Sequence, residues 1–132
     1  MSDKVINLDV KNDNLGRQVV DTVFRVHQEL GAGLLESIYE ECLAIALKKR
    51  NIQFRKQVSM PISYEGVDIP NAFKIDFIVE DSIILELKAV EKIIPVHEAQ
   101  LLTYMKLSKI RTGFLINFNT KLIKDGIKRY RL

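Results

Sequence analysis

Two apolar runs are each broken by charged residues. Asp76 interrupts Ala-Phe-Lys-Ile-Asp-Phe-Ile-Val over 72–79, and Glu86 and Lys88 interrupt Ile-Ile-Leu-Glu-Leu-Lys-Ala-Val over 83–90. On a strand, residues i and i+2 project to one side. Glu86 and Lys88 then share a face, while Leu85, Leu87 and Ala89 share the other. An acid and an amine on an otherwise apolar strand cost desolvation free energy, and something must compensate. A hard divalent cation held by Asp76 and Glu86 would do so, because such ions take oxygen ligands and keep several waters. Lys88 would then stand beside that water, able to position or deprotonate it.

Two further polar groups could join this one. Gly33-Leu-Leu-Glu36-Ser-Ile-Tyr39 opens a helical stretch in which Glu36 shares a face with Tyr39, Glu40 and Leu43. Taken alone, Glu36 simply suits the positive end of a helix. After Pro95, Gln100 and Tyr104 lie on one helical face with His97 one turn earlier. Taken alone, they are an ordinary polar surface. Neither His27 nor His97 has the company of a zinc site, and no glycine-rich loop suggests a nucleotide phosphate cradle.

The elements that must position these residues follow from periodicity. Leu15, Val19, Thr22, Val23, Val26 and Leu30 fall at helical spacing, predicting a helix over 14–30 capped by Asp13 or Asn14 and ended at Gly31-Ala-Gly33. Residues 1–12 read as a short arm or an extra edge strand. A second helix spans 34–50, with Leu35, Ile38, Cys42, Leu43, Ala46 and Leu47 as core candidates. Residues 54–64 alternate as a strand, and Val67–Ile69 could pair back, although Pro70 argues against an interior strand. The hairpin over 72–90 comes next. Pro95 opens a helix to Ser108, 111–117 is a strand, and 122–131 is a last strand. The order is ααβββαββ, an α/β single domain over 1–132 with a central mixed sheet flanked by helices.

The connection inside the hairpin decides whether the site can exist. A two-residue turn at Glu80-Asp81 would pair Asp76 with Leu85 and put Asp76 and Glu86 on opposite faces. A three-residue loop, Glu80-Asp81-Ser82, pairs Val79 with Ile83 and sets Asp76 across from Glu86. The sequence has no Asn-Gly or Asp-Gly here, so the tight turn is disfavoured. An odd loop or a bulge is expected, burying Ile75, Phe77 and Val79 with Leu85 and Leu87 on the other face.

Composition narrows the class. With 132 residues and 47% apolar content, the chain can bury a core and is not disordered. No run approaches a membrane span, and no signal-peptide pattern opens the chain. The single cysteine, Cys42, cannot form an internal disulfide, which fits a cytoplasmic location. Twenty basic residues stand against seventeen acidic ones. The balance allows nucleic-acid binding without arguing for it. Lys121, Lys124, Lys128, Arg129 and Arg131 are the candidate phosphate contacts, and Lys48, Lys49, Arg50, Arg55 and Lys56 form a second basic cluster; taken alone, either is equally a solvated surface.

In sequence order, a helical Glu36, a strand Asp76, Glu86-x-Lys88 and Gln100-x-x-x-Tyr104 together resemble the PD-(D/E)XK nuclease superfamily. Gly33, Glu36 and Tyr39 look like the motif of its GxxExxY family, and Gln100-Leu-Leu-Thr-Tyr104 is similar to an element of RecB-like nucleases. The resemblance covers about Leu15 to Phe118. Isoleucine, not proline, precedes Asp76. It implies a restriction-endonuclease-like core and a hydrolase cutting phosphodiester bonds with Mg2+ or Mn2+, most readily in DNA. Asp76, Glu86 and the Leu87 carbonyl would hold the ion, with Glu36 as a further ligand or an outer group. Gln100 and Tyr104 would hold water, Lys88 or the phosphate. Two sites acting on a duplex would suit a homodimer. The competing expectation is a non-catalytic nucleic-acid-binding or regulatory module, which would tend to lose an acid or the lysine; here all are present.

Overall fold

The computed structural model describes residues 2–132, with side chains from Lys11 onward. The elements are α1 (Ser2–Leu30), α2 (Glu36–Lys49), β1 (Phe54–Tyr64), β2 (Val67–Val79), β3 (Ile83–Lys88), α3 (Pro95–Ser108), β4 (Thr112–Asn117), a 3-10 turn (Ile123–Asp125) and β5 (Ile127–Arg131). The expected order holds. The strands form one five-stranded sheet in sequence order, with β3 and β4 parallel and the other neighbours antiparallel. A parallel pair needs a long crossover, and α3 supplies it. Among the described residues no helix is long and apolar enough to cross a membrane.

The sheet separates two apolar layers. Helices α1 and α2 cover one face, where Val19, Val23, Tyr39, Leu43 and Leu47 meet Phe77, Val79, Leu85, Leu87 and Phe114. Helix α3 covers the other, where Leu101 and Met105 meet Ile75, Ile78, Ile84 and Leu115. The approach of α3 is close. A Cβ on Gly113 of β4 would lie 2.8 Å from the Met105 sulfur and 3.0 Å from Leu101 Cδ1.

Several expectations are corrected. Helix α1 begins at Ser2, so residues 2–12 are neither arm nor edge strand; Met1 lies outside the described residues. Asp13 is therefore inside a helix and caps nothing. Leu35 and Ile38 are exposed, and Tyr39 takes the core position instead. Strand β2 runs continuously through Pro70, but its pairing with β1 shifts between Met60 and Ile62, where a missing N–H is tolerated. The final segment opens with a 3-10 turn before the strand begins.

Ile75 is the most informative correction. It was expected beside Phe77 and Val79 and instead packs against α3 with Ile78. Strict alternation forbids this unless the ribbon turns over between Ile75 and Phe77. The pairing shows where. Lys56 pairs with Phe77 and Val58 with Ile75, but the ladder skips Gln57 opposite Asp76. Gln57 has φ of 50°, a left-handed conformation inside a strand. On the two sides of that point β1 and β2 exchange faces: Phe54 packs with the α1–α2 layer and Val58 with the α3 layer.

Candidate active site

The hairpin connection has the parity that the site requires. Val79 pairs with Ile83, Ile78 with Ile84 and Phe77 with Leu85, which leaves Glu80-Asp81-Ser82 as the loop. One step further along this register, Asp76 stands opposite Glu86. The ladder opens at that step, and side chains take over from the backbone. The Asp76 N–H donates to Glu86 Oε1 at 3.2 Å, and the Leu87 N–H donates to Asp76 Oδ2 at 2.8 Å. The turning-over of β2 thus aims the Asp76 carboxylate across the gap at β3.

Glu86 is buried, 4% exposed, and its carboxyl is pushed up to about 9. Burial is the main cause, and the neighbouring Asp76 charge adds to it; the Asp76 N–H and Lys88 work the other way without prevailing. Two acids in contact at a partly dry position repel. A divalent cation between them would remove that penalty, so the donor set, all oxygen, fits a hard ion such as Mg2+ or Mn2+ completed by water. Among the described residues, however, no three His, Cys, Asp or Glu side chains gather closely enough to hold an ion between them. The acids in contact are Asp76 and Glu86.

Glu36 stands at the start of α2, exposed, at the same end of the sheet. Its carboxyl is raised by partial burial and then by the Asp76 charge, while Lys88 lowers it and Glu40 raises it. Local geometry fixes its approach. Gly31 and Gly33 have φ of 72° and 102°, conformations that cost glycine little. The Tyr39 hydroxyl donates to the Gly31 carbonyl at 2.6 Å and accepts from the Leu34 N–H at 3.1 Å. Its ring stacks on Phe118 at 4.5 Å. The glycine and tyrosine of this motif thus hold the turn that delivers Glu36. Tyr39→Phe keeps the stacking and loses both bonds. The expected cost is about 1 kcal/mol in urea unfolding.

On the α3 side, Lys88 Nζ donates to Gln100 Oε1 at 3.3 Å, and Gln100 Nε2 donates to the Tyr104 hydroxyl at 2.9 Å. The tyrosine accepts that bond, so its own proton is left to donate. Burial, followed by the Glu86 charge, raises the Tyr104 hydroxyl above its ordinary value and keeps it protonated. Phe73 of β2 stacks on its ring at 4.6 Å. Both histidines are engaged elsewhere. His97 Nδ1 accepts from the Ile94 N–H at 3.1 Å, which caps α3, and His27 Nε2 lies 2.8 Å from the Thr120 carbonyl.

Two positioning residues were missed in the sequence. Asn117, buried at the end of β4, accepts from the Val90 and Asn119 N–H groups and donates to the Val90 carbonyl, tying down the chain just after Lys88. Gln57 donates through Nε2 to Asp76 Oδ1 at 3.2 Å and to Glu40 Oε1. A lone asparagine and a lone glutamine carry no signal at the level of sequence.

The C-terminal basic residues do not form a free patch. Lys128 pairs with Glu98 at 2.9 Å, and Arg129 and Arg131 pair with Asp13 at 3.2 and 3.3 Å. Tyr130 also donates to Glu98. Arg131 lies opposite Thr112, at the end of β4 remote from Asn117, whereas Asn117 lies beside Lys88. Lys121 and Lys124 follow β4 at the site's end of the sheet, are exposed, and make no ion pair among the described residues.

The chain therefore carries, in sequence order and at one end of its sheet, the helical acid, the split-strand acid, the Glu-x-Lys strand and the Gln-x-x-x-Tyr helix. Residues 13–130 match the PD-(D/E)XK nuclease superfamily. No curated protein and no solved structure matches the chain. The match spans most of the sequence, and the chain belongs to the PD-(D/E)XK nuclease superfamily.

Proposed function

We propose that this protein is a Mg2+- or Mn2+-dependent nuclease that hydrolyses phosphodiester bonds in DNA, of the GxxExxY type. The observation that carries the reading is the contact between Asp76 and Glu86 across the opened ladder, with Lys88 held beside them by Gln100. Asp76 and Glu86 would hold the ion, with the Leu87 carbonyl as a further oxygen. When bound, the ion supplies Lewis acidity and lowers the pKa of a water. Lys88 would position that water and take or share its proton. Tyr104, its hydroxyl proton free, would donate to a phosphate oxygen. Glu36 would act as a further ligand or as an outer group that orients water beside Asp76 and Glu86.

The test is cleavage of labelled single- and double-stranded DNA and RNA, with Mg2+ and with chelator. Metal-dependent cutting of DNA is the expected result. Tight binding with no cleavage under any metal would assign the chain to a non-catalytic module instead.

Binding strength should fall with salt, because lysine and arginine contacts release counterions from the phosphates. Lys121 and Lys124, exposed and without an ion pair among the described residues, are the C-terminal candidates for such contacts. Reversing both is expected to weaken binding to all sequences by a factor of about 10 and to flatten the salt slope. Reversing Arg129 and Arg131, which are engaged with Asp13 and lead away from the site, is expected to do less. Filter binding across a salt series separates the two cases. Two-site cutting of a duplex would use a homodimer, which the mass in solution reports.

A further inference from the structure

We infer that Gln57 is a positioning residue for the metal-binding carboxylate of Asp76, and that the strained backbone at Gln57 exists to hold its amide there. This rests on the two-carboxylate reading of the site.

Gln57 combines two observations. Most non-glycine residues with positive φ among the described residues mark turns or helix ends; Gln57, at 50° inside β1, and Asn71, at 53° inside β2, do not, and of the two only Gln57 lacks the asparagine side chain that tolerates this region. A residue with a Cβ is disfavoured in that region, and glycine or asparagine occupies it at lower cost. The side chain is exposed, so no burial of glutamine compensates. An outlier of this kind beside a functional group points to what its side chain does.

What it does is bridge. Both protons of its amide are spent on carboxylates, one on Asp76 Oδ1 at 3.2 Å and the other on Glu40 Oε1. Asp76 Oδ2 is already held by the Leu87 N–H at 2.8 Å. Asp76 is thus fixed at both oxygens, by the neighbouring strand on one side and by Gln57 on the other. Each carboxylate oxygen has two lone pairs, so each keeps one for an ion. Without Gln57 the carboxylate could swing about the single Leu87 bond, and Glu40 would face Asp76 with no donor between them. The left-handed turn at Gln57 also coincides with the point where β1 and β2 exchange faces, which is the geometry that aims Asp76 at β3.

A purely structural role and a positioning role move two measurements in different ways. Gln57→Gly eases the backbone and removes the amide. Gln57→Asn suits the backbone and leaves the amide one methylene short. Thermal unfolding without metal, and calorimetric titration with Mn2+ alone, are measured for both variants and for the unaltered protein. The expected result is cooperative unfolding kept in both variants, with Mn2+ affinity about 10-fold weaker. Mn2+ binding as tight as in the unaltered protein would overturn the role of Gln57 and leave the metal site standing. Loss of cooperative unfolding in both variants would assign Gln57 to the fold and overturn the inference. Failure of the unaltered protein to bind Mn2+ would overturn the reading beneath it.

Discussion

Lys88→Met is expected to lower metal-dependent cleavage by about 10²- to 10⁴-fold, the range for losing a positioned proton-transfer group. The side chain is half-buried, and methionine preserves the bulk of its stem while removing the charge. The change frees Gln100 Oε1 from its bond to Nζ, which costs about 1 kcal/mol or less at this partly wetted position. The fold should therefore survive, and Mn2+ should still bind through Asp76 and Glu86. Cleavage, binding and melting are measured on one preparation. A variant that cuts as fast as the unaltered protein would remove Lys88 from the chemistry, and with it the present reading of the site. Asp76→Ala should lose cleavage by losing the ion, so its calorimetric titration, unlike that of Lys88→Met, should be flat.

The second large effect is in pH. In the metal-free protein Glu86 has its carboxyl raised from 4.5 to about 9 by burial and by Asp76. Below the unfolded value both states hold the proton, and stability is fully present. Between the two values the unfolded chain gives up a proton that the folded chain keeps, so stability falls as pH rises. Above the folded value the loss is complete. The metal-free protein should then be most stable near pH 5 and lose on the order of a few kcal/mol towards pH 9. Glu86→Gln should flatten the curve and melt higher than the unaltered protein at pH 8. Metal reverses the sign, because ion binding needs the ionised acid. The rise in melting temperature on adding Mn2+ should be larger at pH 8 than at pH 5.5. A metal-free protein whose stability does not change over this interval would mean that Glu86 is not held neutral.

Asp76, Glu86 and Lys88 stood out because polar side chains broke apolar runs, and such breaks survive in a bare sequence; Gln100 and Tyr104, an ordinary polar helix face taken alone, stood out only through the resemblance of their spacing to a nuclease element. The helix from Pro95 to Ser108 was legible because proline fixes a first turn. The loop Glu80-Asp81-Ser82 followed from parity alone. Ile75 was misplaced because alternation was carried straight through a point where the ribbon turns over. That turn depends on the φ of Gln57, which no residue-type preference announces. The basic C-terminal stretch divides in a way that sequence does not show. Lys128, Arg129 and Arg131 are met by Glu98 and Asp13, contributed from far along the chain, and only tertiary structure reveals such partners. Leu35 and Ile38 satisfied a helical stripe, but both face out at the start of α2, and Tyr39 fills the core beside Phe118.

The short link between β2 and β3 carries a constraint of its own. Glu80 and Asp81 both have left-handed φ, 48° and 56°, and the Ser82 N–H closes onto the Val79 carbonyl at 3.0 Å. Glu80 and Asp81 are exposed, and no catalytic group comes from the link. Surface connections of this kind usually absorb insertions and deletions freely. This one cannot. Losing or gaining a single residue would rotate β3 by half a turn relative to β2, sending Glu86 and Lys88 into the oily layer beneath α1 and α2 and bringing Leu85 and Leu87 out in their place. The link therefore tolerates exchange only among residues that accept left-handed φ, and a change in its length needs a compensating bulge.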